Sequence, residues 1–294
     1  MSRADVGAVE LEYETIGDAA DPPLLLVMGL GMQLIHWDLE LCERFAERGF
    51  HVIRFDNRDA GLSTHVRAPV PNVMALMAGI PVKVPYLLSD MAADAFGLLD
   101  HLGIERAHVV GSSMGGMIAQ TMAIRSPERV LSLASMLSST GDRRLGTPKL
   151  RVWSLMMRRA PTERDAYITY FARLFRMIGS PAYRPDEAHV REVAAATYDR
   201  CHYPAGTARQ LGAILASGSR TAALRELDVP AVVIHGESDP LVPLRAGRAT
   251  AAAIPNAELI AIPGMGHDMP RELWPTFVEA IARNADRAAE RQAA

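Results

Sequence analysis

Ser113, His267 and Asp239 are three residues whose types, brought together, suit nucleophilic acyl transfer. A serine hydroxyl is too weak an acid to attack a carbonyl unaided, and an imidazole within hydrogen-bond reach supplies the base it needs. A carboxylate behind the imidazole fixes the tautomer that accepts the serine proton. Whether the chain can assemble them depends on the motif around each.

Ser113 stands in VVGSSMGGMIAQ, where Gly111, Ser113 and Gly115 form a G-x-S-x-G and Ser112 falls outside the frame. The motif is short, so its surroundings decide its meaning. It follows an apolar run at 108–111 and opens a helix near Met114. A tight strand-to-helix turn strains the backbone at the serine and lifts its hydroxyl out at the C-terminal edge of a sheet. The helix start then offers unpaired N–H groups and a positive dipole end to a developing oxyanion. The plain alternative is a glycine-rich turn with an inert serine.

Of nine histidines, His267 lies in IPGMGHDMP, a glycine-rich loop after the last predicted strand, where an imidazole can swing towards the serine. His235 is the rival, but it sits inside AVVIHG and is held by the sheet; His36 is placed to line a pocket. The carboxylate is expected from GESDPLVP, which offers Glu237 and Asp239. Asp239 is preferred because Pro240 makes its turn rigid, with Asp142 as a further candidate. Asp268 is expected to point away from the imidazole and to cap the next helix or face solvent. A tetrahedral intermediate needs two N–H donors. Met114, directly after the nucleophile, and Leu30, between Gly29 and Gly31, are the expected pair; otherwise MGLG is only a flexible turn.

The elements that position these residues alternate along the chain. Val9, Leu11 and Tyr13 alternate with glutamates, a half-buried strand. LLLVMG (24–29) is a continuous apolar run suited to a strand covered on both faces. A helix over 37–48 ends at Gly49, HVIRFD (51–56) is a strand, and 90–102 reads as a helix capped by Asp90 and stopped by Gly103. VLSLASML, AVVIHG (231–236) and AELIAIPG (257–264) are further strands, with helices over 243–253 and from 271 onward. The expected fold class is α/β, a mainly parallel central sheet with helices on both faces. Two stretches break the rhythm. Residues 66–88 are apolar and proline-punctuated, and 139–222 is helix-like without a confident strand. The expected division is a core of 1–138 and 223–294 with a helical cap insertion at 139–222.

With 294 residues, 49% hydrophobic and 22% charged, the chain is long enough to bury one large core. A net charge of −3 speaks against a nucleic-acid partner, which would need a basic stripe. No run approaches a membrane span, and acids stand where a secretory leader would be apolar, so the expected location is cytoplasmic. Cys42 and Cys201 match no metal-ligand spacing and are expected to be free thiols.

Together these motifs resemble the α/β-hydrolase superfamily over nearly the whole chain. Its pattern D-x-R-G-x-G-x-S appears as 56–63, with Asp59 in place of the first glycine, and its frequent His-Gly is here Met28-Gly29. The order Ser113, Asp239, His267 matches that superfamily. VMGLG, HVIRFDNRDAGLST and AHVVGSSMGG look like the branch of the aclacinomycin methylesterases and related bacterial carboxylesterases. The resemblance implies a serine carboxylic-ester hydrolase for small to medium apolar esters, working through an acyl-serine with no cofactor and no metal. Gly29, Met77, Trp153 and Met157 are the expected substrate-binding residues. The partner is then a small-molecule ester, with a homodimer left open. The alternatives are a lactonase with the same triad, a ligand-sensing homologue of low turnover, and a cofactor-free lyase.

Overall fold

The computed structural model describes residues 2–145, 147–156 and 160–293. Strand β1 (Ser2–Asp5) pairs antiparallel with β2 (Glu10–Ile16), which lies antiparallel to β4 (His51–Phe55). Strands β3 (Pro23–Val27), β5 (Ala107–Ser112), β6 (Val130–Met136), β7 (Ala231–Gly236) and β8 (Glu258–Ile262) continue parallel to β4. The sheet order is β1-β2-β4-β3-β5-β6-β7-β8.

The apolar strands carry the core because successive side chains point to opposite faces. Leu24 and Leu26 of β3 join one cluster with Val110, Ile234 and the helices α1 (Leu39–Glu47) and α11 (Trp274–Ala293). Leu25 and Val27 join the other, with Val109, Ile53 and the helices α3 (Leu88–His101) and α4 (Met114–Arg125). Leu24 to Val27 are fully buried, each side chain worth about 1.5–3 kcal/mol of transfer free energy. This pins the C-terminal end of β3 beside that of β5.

Helix boundaries follow local chemistry. The Asp38 carboxylate accepts the Glu40 N–H to open α1, and Gly49 (φ +89°) lies just beyond its end. Asp90 does not stand at the N-cap of α3. It lies one turn inside and reaches back to accept the Leu87 N–H at 2.7 Å, because α3 starts two residues earlier than its spacing suggests.

Strand β1 has no local signature in the sequence. SRAD has no apolar pattern, but β1 forms by pairing with β2, where Arg3 Nε donates to Glu12 Oε2 at 3.2 Å. Glu12 is therefore buried rather than facing solvent. Residues 66–88 fold around a short helix, α2 (Val73–Met77), which packs on the helix Pro204–Ser217. Between β6 and β7 stand α5 (Leu150–Met156), α6 (Arg164–Ile178), α7 (Glu187–Arg200), α8 (Pro204–Ser217) and α9 (Thr221–Leu224). Helix α10 (Leu244–Ala253) joins β7 to β8. Cys42 and Cys201 are free, and burial pushes the Cys42 thiol up to about 12. Among the described residues no helix is long and apolar enough to cross a membrane.

Candidate active site

Four loops meet where β3, β5, β7 and β8 end. The loop after β5 turns directly into α4 at Ser113, whose backbone sits at φ +57°, ψ −116°. A left-handed φ costs a non-glycine residue roughly 1–2 kcal/mol and persists only when neighbours hold it. Here the Ser113 N–H donates to the Met136 carbonyl at 2.9 Å, and the Ser113 carbonyl accepts the Ser138 hydroxyl at 2.7 Å. The flanking glycines are required by contact. A Cβ on Gly111 would lie 2.1 Å from the Gly115 carbonyl oxygen, and one on Gly115 would lie 2.0 Å from that of Val27.

The turn brings Ser113 Oγ to 3.0 Å from His267 Nε2, while His267 Nδ1 lies 2.6 Å from Asp239 Oδ2. A ring proton held at Nδ1 by the carboxylate would leave Nε2 free to accept from the serine. Asp239 is buried at the end of β7, and its other oxygen accepts the N–H groups of Leu241 and Val242, both at 2.8 Å. Its direction is therefore set by the turn that Pro240 stiffens.

Among the described residues no other candidate hydrogen-bonds to Ser113 or His267, although His235 Nε2 lies 3.8 Å from Asp239 Oδ2. Glu237 is exposed, and Asp142 pairs with Arg144, which holds its carboxyl down to about 2. His235 is fully buried and donates from Nε2 to the Val242 carbonyl at 2.8 Å; burial lowers its pKa. His36 braces the chain instead, accepting the Gln33 N–H on Nδ1 and facing Thr197 Oγ1 at 3.2 Å. Burial lowers it to about 4.

Among the described residues Asp268 makes no hydrogen bond to the imidazole and caps no helix. It accepts both the hydroxyl and, at 3.1 Å, the N–H of Ser180, just beyond α6. The Ser180 oxygen in turn accepts the Gly266 N–H at 2.8 Å, and the His267 N–H donates to the Ile178 carbonyl at 2.7 Å. The histidine loop is thus fastened to the end of α6. Ser138 and Ser180 carry no sequence signal, since each acts on a backbone group that only the fold brings near.

The loop after β3 forms a turn in which Met32 N–H donates to the Gly29 carbonyl at 3.2 Å, with Gly31 at φ +67°. Leu30 is the residue before Gly31 in this turn, and Met114 is the first residue of α4. Among the described residues neither of their N–H groups has a protein acceptor outside the regular helix and strand bonds. Gly29 faces Ser113, for a Cβ on it would stand 3.2 Å from the Ser113 Cβ. Met77 on α2 and Trp153 on α5 are half-buried, and among the described residues no hydrogen bond or ring contact joins them to Ser113 or His267. Met157 lies outside the described residues. Among those described, no group of three His, Cys, Asp or Glu side chains is placed to hold a metal ion.

The arrangement sets a hydroxyl, an imidazole and a carboxylate in hydrogen-bonded series at the N-terminus of α4. Comparison with known proteins gives this geometry a context. Rhodomycin D methylesterase DnrP of Streptomyces peucetius is 31% identical, with 93% of this chain and 94% of that protein aligned. The 3-oxoadipate enol-lactonase 2 of Acinetobacter baylyi is 27% identical over 82% of this chain and 80% of its own. Among solved structures, the enol-lactonase from Burkholderia xenovorans superposes with a TM-score of 0.74 at 24% identity, covering 96% of this chain and 99% of that one. The family described as alpha/beta hydrolase fold matches residues 22–270, and this chain belongs to it.

Proposed function

We propose that this chain is a serine carboxylic-ester hydrolase acting on small to medium apolar esters through an acyl-serine intermediate. The observation that carries the reading is the 3.0 Å approach of Ser113 Oγ to His267 Nε2, made at a strained residue with Asp239 behind the ring. His267 takes the Ser113 proton as the oxygen attacks the ester carbonyl, and the N–H groups of Leu30 and Met114 receive the oxyanion. Collapse expels the alcohol, protonated by His267. Water activated by the same imidazole then releases the acid. Similarity to a protein named a methylesterase supports ester hydrolysis in general.

Residues 139–222 act in this reading as a cap on a core of 1–138 and 223–294. Gly29 lines the site beside the nucleophile, and Met77 and Trp153 belong to the apolar roof. A lactonase is the second reading, favoured by the similarity to an enol-lactonase, and it uses the same steps on a cyclic ester. The test is turnover of p-nitrophenyl acetate and butyrate, with labelling by a fluorophosphonate. Ser113→Ala is expected to lose both. Labelling retained in that variant would move the nucleophile elsewhere.

A further inference from the structure

Helix α8 presses its buried face, Gly206, Arg209, Gln210 and Ala213, onto the two loops that follow β3 and β4. The approach is close. A Cβ on Gly31 would meet Thr207 Oγ1 at 2.6 Å, and one on Gly206 would meet the Asp59 carbonyl oxygen at 2.0 Å. Within this contact the Gln210 amide is fully buried and satisfied at both ends. Its oxygen accepts the Gly31 N–H at 2.8 Å, and its nitrogen donates to the Arg58 carbonyl at 2.8 Å. Gly31 is the residue after Leu30, so the bond falls on the peptide plane next to the proposed oxyanion donor.

We propose that Gln210 is a positioning residue for the oxyanion hole, holding the turn of residues 29–32 so that the Leu30 N–H is aimed before substrate arrives. The proposal rests on the esterase reading of Ser113. Two further features support it. The preceding residue on α8, Arg209, forms a bidentate pair with Asp59, which fixes the height and rotation of the helix at Gln210. The far side of the same turn is also held. Gln33 Nε2 donates to the Thr197 and Cys201 carbonyls, both at 2.8 Å, and the Leu34 N–H donates to Asp56 Oδ1 at 2.6 Å. The turn is thus pinned on both sides by helices inserted between β6 and β7. A preorganised donor acts on the transition state more than on bound substrate, because charge develops on the oxygen only there.

The test is Gln210→Met, which keeps the length and apolar bulk of the side chain and removes the acceptor. Complete loss of an oxyanion donor costs about 10²–10³ in kcat. A donor left in place but no longer aimed is expected to cost roughly tenfold to a hundredfold, with KM within about twofold. Affinity for an aryl trifluoromethyl ketone, which forms a tetrahedral adduct with the serine, is expected to fall by the same factor. Should Gln210→Met not fold, Gln210→Asn serves instead: it stays polar but stops one methylene short of Gly31, and the same paired losses are expected. A folded variant whose kcat and ketone affinity match an active parent overturns the positioning role alone. A drop in melting temperature with no change in either constant does the same. An unmodified protein that turns over no ester overturns the esterase reading, and this role with it.

Discussion

Arg209 and Asp59 form a bidentate ion pair, Nε to Oδ2 and Nη2 to Oδ1, each at 2.8 Å, with both residues almost wholly buried. The Asp59 carboxylate also accepts the Tyr86 hydroxyl at 2.7 Å and the Val66 N–H at 2.8 Å. It does so from φ +65°, a conformation suited to the glycine that the family pattern carries at this place. The strain at Asp59 is thereby offset by a clamp joining three parts of the chain. Arg209→Met is expected to destabilise the fold by about 3–5 kcal/mol, because it strands a buried carboxylate. Asp59→Gly combined with Arg209→Met removes both charges and relieves the backbone, and is expected to cost far less. Urea denaturation of the four forms measures the coupling; additive single effects would mean the pair is not a unit.

Asp239→Asn tests the proposed orienting carboxylate. The amide keeps the size of the side chain and retains an oxygen for the Leu241 and Val242 N–H groups. It cannot fix the proton on Nδ1, so Nε2 no longer accepts from Ser113. By analogy with the serine-protease triad, kcat is expected to fall roughly 10⁴-fold with a small change in KM. Steady-state kinetics checks this, and a loss under about tenfold would move the role to another carboxylate.

The legible parts of this protein are those with a local signature. Leu24 to Val27 announce a strand covered on both faces because every one of them is apolar, and Ser113, Asp239 and His267 each follow such a strand at a turn rich in glycine or proline. β1 was hidden because its pattern resides in its partner, Glu12 holding Arg3. The clamp was hidden for a related reason. Arg209 lies 150 positions from Asp59, and Gln210 lies 179 from Gly31. A buried arginine on an inserted helix reads locally like any solvated one, and only tertiary packing distinguishes them. Asp59 itself was visible as a departure from the family pattern, which marks the place without naming what fills it.

Acid is expected to weaken the fold through His108. This residue is buried beside Ser132 Oγ at 2.8 Å, and burial lowers its pKa from 6.5 to about 4. Below pH 6.5 the unfolded chain takes up a proton that the folded chain refuses until about pH 4. The stabilisation is therefore complete above 6.5 and is lost progressively as pH falls to 4, by up to about 3 kcal/mol. His36, lowered to about 4, acts in the same window. His108→Asn keeps an oxygen near the Nδ1 position and cannot titrate. Its urea midpoint is expected to fall less than that of the unmodified protein between pH 7.5 and 4.5. Equal falls would remove His108 from the account.

Gly29→Ala probes how tightly the proposed nucleophile is enclosed. The added Cβ would stand 3.2 Å from the Ser113 Cβ and 3.3 Å from the Ser112 carbonyl oxygen, close enough to shift the loop by a few tenths of an ångström. Gly29 is not one of the positive-φ glycines, so alanine meets no backbone strain there. The expected result is a fold of nearly unchanged stability whose kcat/KM drops by about tenfold, since small displacements of reacting groups are costly. The labelling rate of Ser113 by a fluorophosphonate should fall with it, because that reagent must approach the same oxygen past the same methyl group. If both rates instead stay at the parental level while the melting temperature drops sharply, the crowding acts on folding. Gly29 would then belong to the packing of β3 against β5 and have no part in binding.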